Sequence, residues 1–212
     1  MRRRMVLGAL AAPLVIPGPA AAQEAWPARP VTLVVPWAPG GSNDVVARLV
    51  APVLAERLGQ SVVVENRAGG GGSIGMGIVV RARPDGHTLL VSSASNHVFH
   101  ALVSPDLGYD VREALAGIAM MVDVPNVLAV NPATGITDVP SLLARIRATP
   151  GGFSFGSSGT ASSNHLAGEM LKVEAGIDIA GVPYKGTGPA LQDVVAGQID
   201  LAISGVASVQ QL

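Results

Sequence analysis

The sequence predicts an α/β protein of two lobes with mostly parallel sheets. Three observations lead there. Short apolar runs alternate with stretches of helical spacing along nearly the whole chain, the pattern of repeated strand–helix units. Two of the strand–helix junctions are built alike: Val31 to Asp44 reads VTLVVPWAPGGSND and Phe153 to Leu166 reads FSFGSSGTASSNHL. A break in the alternation falls between them, near Val122–Asn126, where two apolar runs flank a polar step.

The elements follow in order. Arg2, Arg3 and Arg4 precede an apolar stretch from Met5 to Ile16, and Ala20 to Ala22 supply a small-residue cleavage site. The stretch is too short to span a bilayer, so residues 1–22 read as an export signal. Thr32–Val35 reads as a buried strand. A helix follows, with Ser42 or Asn43 as N-cap and Val45, Val46, Leu49, Val53, Leu54 and Leu58 at helical spacing. Gly59 sits where a C′ glycine belongs. Pro52 falls inside that helix and should kink or weaken it. Val62–Glu65 is the second strand, Gly69–Gly72 a glycine loop, and Ser73–Arg81 a helix. Pro84–Gly86 is a turn, His87–Val91 a third strand, and Ser92–His97 a polar loop.

Ile118–Val122 and Val127–Val130 read as one long strand passing between lobes. Beyond it come a helix at Val139–Arg147, a strand at Phe153–Ser157 and a helix at Ser162–Glu174. A strand at Ile177–Val182, a helix at Pro189–Ala196 and a strand at Leu201–Ile203 complete the pattern. The domain expectation is a signal at 1–22, a first lobe at 23–122 and a second at 123–212.

Composition narrows the function classes. Removing the signal leaves 190 residues. Three of the 14 basic residues leave with it and all 15 acidic ones stay, which takes the net charge from −1 to about −4. A mildly acidic chain without a basic run is not built for nucleic acid. The chain has no cysteine, which excludes disulfides, thiolate metal sites and a catalytic thiol. Gly and Pro fall at element boundaries, and with aromatic content at 3% the core must come from Val, Leu, Ile and Ala.

A strand that opens through small residues onto a helix leaves backbone N–H groups without acceptors, and the helix dipole adds to their pull on an anion. At the first junction Gly40 and Gly41 let a ligand approach the backbone. Ala38 and Pro39 shape the turn, Ser42 and Asn43 offer side-chain hydrogen bonds, and Trp37 offers a wall. The second junction is rich in hydroxyls, with Ser157, Ser158, Thr160, Ser162 and Ser163 around Gly159; Leu166, Met170 and Val173 mark the helix beyond. Tyr184, ahead of Lys185 and Gly186, offers another wall. The arrangement suggests two lobes holding one small acid.

Other patterns carry less. Gly70–Gly75 matches G-x-G-x-x-G, but the next strand lacks the acidic ribose partner of a dinucleotide site, so a tight turn is expected. Gly152–Gly156 matches G-x-S-x-G, yet Ser154 sits in an alternating strand. No His follows Asp178, Asp193 or Asp200, so the hydrolase order is missing. His87, His97, His100 and His165 have no metal-site spacing. No cofactor, no metal and no catalytic residue is expected.

Several segments together are similar to those of the Bug-type, TctC-like extracytoplasmic solute receptors of tripartite tricarboxylate transporters. They run from Trp26 to Gly41, Val63 to Gly69, Pro84 to Leu90, Val124 to Pro132, Gly156 to Gly159 and Val182 to Gly186, in the family's order and over nearly the whole exported chain. The resemblance implies a periplasmic-binding-protein-like clamp, free in the periplasm. It would hold a di- or tricarboxylate, an aromatic acid or an acidic amino acid between the loops at Trp37–Asn43 and Gly156–Ser163. It implies delivery to a membrane permease of two subunits. The family continues beyond the point where this chain ends at Leu212, so the resemblance implies an incomplete second lobe and return, in a fragment or a truncated product. The alternatives in function are a ligand sensor for a membrane signalling partner or a secreted hydrolase.

Overall fold

The computed structural model describes residues 25–99, 102 and 107–212. The expected signal at 1–22 and His100 lie outside the described residues. The first sheet grows around β1 (Val31–Val35), whose residues are all buried except the half-buried Thr32. A strand covered on both faces needs such a continuous apolar run. β2 (Val62–Asn66) and β3 (Thr88–Leu90) flank it in parallel, giving the order β2-β1-β3.

α1 (Ser42–Leu58) and α2 (Ser73–Val80) connect these strands. α1 differs from its expected reading in two ways. It turns Asp44, Ala47 and Ala51 inward, while Leu49 and Val53 are exposed. Small residues let the helix backbone lie close to the sheet, so the largest apolar side chains do not mark the buried face. Its N-cap is Gly41, not Ser42 or Asn43. The helix runs unbroken across Pro52, which sits on the exposed face, where water can serve the carbonyl that proline leaves without a donor. The glycine loop forms a 3-10 turn at Gly70–Gly72 leading into α2, the tight junction expected there. Beyond β3 the polar loop enters a π-helical turn at Ser95–Phe99.

The second sheet contains β4 (Asn126–Val130), β5 (Ser154–Ser157), β6 (Ala180–Pro183) and β7 (Leu201–Gly205), in the order β4-β7-β5-β6. β5 pairs in parallel with β6 and β7, and β4 runs antiparallel to β7. α3 (Val139–Ala148), α4 (Ser163–Ala175), α5 (Thr187–Val195) and the short α6 (Val206–Val209) pack around it. Leu142, Ile146, Phe155, Ile179, Leu201 and Ile203 form its main core. Phe155 fits because α4 presents Gly168 to it; a Cβ there would overlap the ring. As in α1, the expected face of α4 is corrected: Met170 and Val173 are exposed while Asn164 and Gly168 are buried.

The long crossing strand is also corrected. Only Asn126–Val130 is a strand, because it alone has a ladder partner in β7. Ile118–Val122 is irregular, and Ile118 and Met120 are 79% and 87% exposed. The hydrolase-like Ser154 opens β5, where its N–H and hydroxyl both donate to Asp200, at 2.8 and 3.2 Å.

Candidate functional site

The parallel strands β1 and β5 run into loops that face one cleft of about 790 Å³, and Thr187, which opens the helix after β6, also lines it. In such sheets the carboxyl ends of strands are where ligands sit. The wall at this end includes Trp37, Gly41, Ser42, Asn43, Ser158 and Ser163, all expected from sequence. It also includes Asn126, Asn164, Thr187 and Gly205, which were not. Elsewhere the lining comes from β3, the segment around Leu115–Val124, and Ser92, Ser93 and His97. Among the described residues its charged side chains are Arg83 and Asp123.

The first loop leaves its helix open. Gly41 caps α1 in extended geometry (φ −77°, ψ 160°) with no side-chain cap. The first helical bond runs from the Val45 N–H to the Gly41 oxygen at 3.0 Å, so the N–H groups of Ser42, Asn43 and Asp44 have no acceptor within the helix. Earlier amides are already occupied. The Ala38 N–H donates to the Lys185 oxygen at 2.8 Å, and the Gly40 N–H to the Asp44 carboxylate at 3.0 Å. Asp44 also accepts from Arg48 and Asn66, at 3.0 and 2.9 Å. Burial pushes its pKa up, but the bonds from Arg48, Gly40 and Asn66 outweigh it and hold the carboxyl below its usual range.

A second open helix meets the first. α5 starts at Thr187 behind Gly186, again with no side-chain cap. A Cβ on Gly41 would lie 3.4 Å from Thr187 Oγ1, and one on Gly188 would overlap the Pro39 carbonyl oxygen. Ser42 Oγ lies 3.0 Å from Ser208 Oγ of α6. Thr187 was detectable in principle, because Val182 to Thr187 is a third strand–glycine–helix junction.

The hydroxyl-rich loop behaves otherwise. Ser162 is buried and caps α4 itself, its hydroxyl accepting from the His165 N–H at 3.1 Å. Ser158 Oγ donates to Asn164 Oδ1 at 2.8 Å, and Asn164 Nδ2 donates to Asn126 Oδ1 at 2.9 Å. Ala38, Pro39, Gly40, Ser157, Gly159, Thr160, Ser162 and Tyr184 are not among the residues lining the cleft. Tyr184 donates to Asp193 at 2.6 Å; burial and that carboxylate push its pKa up to about 12. Trp37 Nε1 and Asn96 Nδ2 are buried without a hydrogen-bond partner, among the described residues. No group of three or more His, Cys, Asp or Glu gathers as a metal site among those residues, and none of their helices is long and apolar enough to cross a membrane.

Comparison with known proteins identifies the family and the fold. Residues 46–212 match the model of the tripartite tricarboxylate transporter family receptor. BugT of Bordetella pertussis is 40% identical over 205 residues, covering 96% of this chain and 63% of BugT. A solved R. palustris protein with adipate is 36% identical with a TM-score of 0.84, over 88% of this chain and 62% of that one. MatC from Rhodopseudomonas palustris, with bound malate, is 32% identical with a TM-score of 0.79, over 87% and 63%. The chain thus spans less than two thirds of the length of these relatives.

Proposed function

The chain belongs to the tripartite tricarboxylate transporter receptor family, whose members are solute-binding proteins, and on that premise we propose that it captures a small organic carboxylate in the periplasm. It acts by binding, not by catalysis, and hands its ligand to a two-subunit permease. Residues 23–122 and 123–212 serve as the two lobes, with the hinge near Val122–Asn126. The observation that carries the reading is the meeting of the uncapped openings of α1 and α5 at one cleft wall. Unpaired amides and two helix dipoles favour a negative group there without a lysine or arginine. Trp37, Gly41, Ser42, Asn43, Ser158 and Ser163 form the binding surface. The adipate and malate of two relatives are both dicarboxylates, which supports the same class here.

Calorimetry with adipate, malate and their diamides tests this. The acids should bind at least tenfold more tightly than the diamides. Equal affinity for acid and amide would refute a carboxylate site.

A further inference from the structure

We infer that Asn126 is a ligand-binding residue, its amide NH₂ group held toward the cleft by the Ser158–Asn164 pair so that it donates to the ligand's carboxylate. The inference rests on the carboxylate-capture reading and adds a residue and an orienting device to it.

The argument starts from an oriented chain of hydrogen bonds. Ser158 and Asn164 are 7% and 8% exposed, and their bond lies in the protein interior. The serine hydroxyl donates to Asn164 Oδ1, which turns the Asn164 NH₂ group toward Asn126. That group donates to Asn126 Oδ1. A planar amide whose oxygen faces inward carries its NH₂ on the opposite side. Asn126 itself is exposed and lines the cleft, and its Nδ2 has no protein partner among the described residues. The chain therefore ends in an outward donor, the polarity an anion needs.

Its position fits. Asn126 is in register with Gly205 across the β4–β7 ladder. Gly205 lies against Ser42, the first residue of α1, so closely that a Cβ on it would overlap the serine side chain. The outward donor therefore stands beside the open turn of α1. A neutral amide adds a hydrogen bond there without adding a cation. Ser158 and Asn164 are positioning residues that set which end of the Asn126 amide meets the ligand.

Asn126→Asp separates this role from a merely structural one. An aspartate oxygen accepts the same Asn164 N–H, so the internal link and the fold should survive, with a melting temperature close to that of the parent. The outward donor becomes an acceptor bearing negative charge. Affinity for adipate or malate should fall at least a hundredfold, and Asn126→Ala should cost about tenfold. A folded Asn126→Asp protein that binds the acid within twofold of the parent overturns the inference. If that variant does not fold, Asn126→Ala decides, and unchanged affinity there overturns it too. Failure of the underlying reading looks different: the parent itself would then bind diamide and acid equally, and both conclusions would fall.

Discussion

The junctions leading into α1 and α4 are similar in composition and opposite in state. Each passes from a strand through small residues onto a helix. Before α1 the cap is Gly41, which has no side chain to offer, and the first-turn amides stay open. Before α4 the cap is Ser162, which bonds the His165 N–H, so part of the dipole's positive end is satisfied from within. The α1 turn also carries Asp44, whose carboxylate is saturated by Arg48, Asn66 and the Gly40 amide, while α4 has no acidic residue in its first turn. On the proposed reading, a strand–loop–helix junction becomes an anion site through what its cap leaves undone. The partner of α1 at the cleft is α5, with its glycine cap, while α4 contributes side chains.

The largest effect should come from forcing the two open helices apart. Gly188→Ala puts a Cβ into the Pro39 carbonyl, and backbone overlap of this kind is relieved only by moving one loop. Affinity for adipate or malate should fall at least a hundredfold, about 2.8 kcal/mol, with a lower melting temperature. Binding at parental strength would mean that the two openings act independently.

Asp44→Asn should weaken the α1 side alone. It removes hydrogen bonds to a buried charge, a loss of about 2 kcal/mol, reduced somewhat because Arg48 is half exposed and its share is screened. The sign with pH follows from the direction of the shift. A carboxyl held below its usual range stabilises the fold above the unfolded pKa of roughly 3.9 and loses that effect as pH falls through the lower folded value. Urea denaturation should therefore separate parent and variant at pH 7 and bring them together only as pH falls through the lowered folded pKa of Asp44. A constant gap across that range would show that the Asp44 charge is not what stabilises the turn.

Gly41→Val affects binding more than folding. The backbone at Gly41 is extended and tolerates a side chain, but a branched one reaches Thr187 and covers the open amides. Affinity should fall at least tenfold, about 1.4 kcal/mol, in a protein with parental circular dichroism. Unchanged affinity would remove the α1 opening from the site.

The succession of strands and helices, the two junctions and the placing of the cleft at strand ends were legible because periodicity and glycine position report directly on backbone path, whereas the order of the strands within each sheet and the antiparallel β4 were not. Helix faces were less so. In α1 and α4 the sheet is met by Ala47, Ala51 and Gly168, and small residues carry no periodic signal against exposed Leu49, Val53, Met170 and Val173. The crossing strand was overread because Ile118–Val122 has strand composition but no ladder partner among the described residues. Asn126 and Asn164, which line the cleft, were invisible from sequence because the bond that brings them together joins residues 38 positions apart.

The smallest effect is also the most direct contrast between the two caps. Ser162→Ala should remove the α4 cap and lower stability by about 1 kcal/mol, while affinity for adipate or malate stays within twofold, since Ser162 does not line the cleft. Gly41→Ser should do the reverse. The added hydroxyl can satisfy an α1 amide from within, as Ser162 does in α4, for a gain of only a few tenths of a kcal/mol. The same hydroxyl then competes with the ligand, and affinity should drop several-fold. Denaturation and calorimetry on the two variants should thus give opposite pairs of changes. If both lost stability and binding together, cap identity would not separate the two junctions, and the open turn of α1 would have to be explained by its surroundings instead.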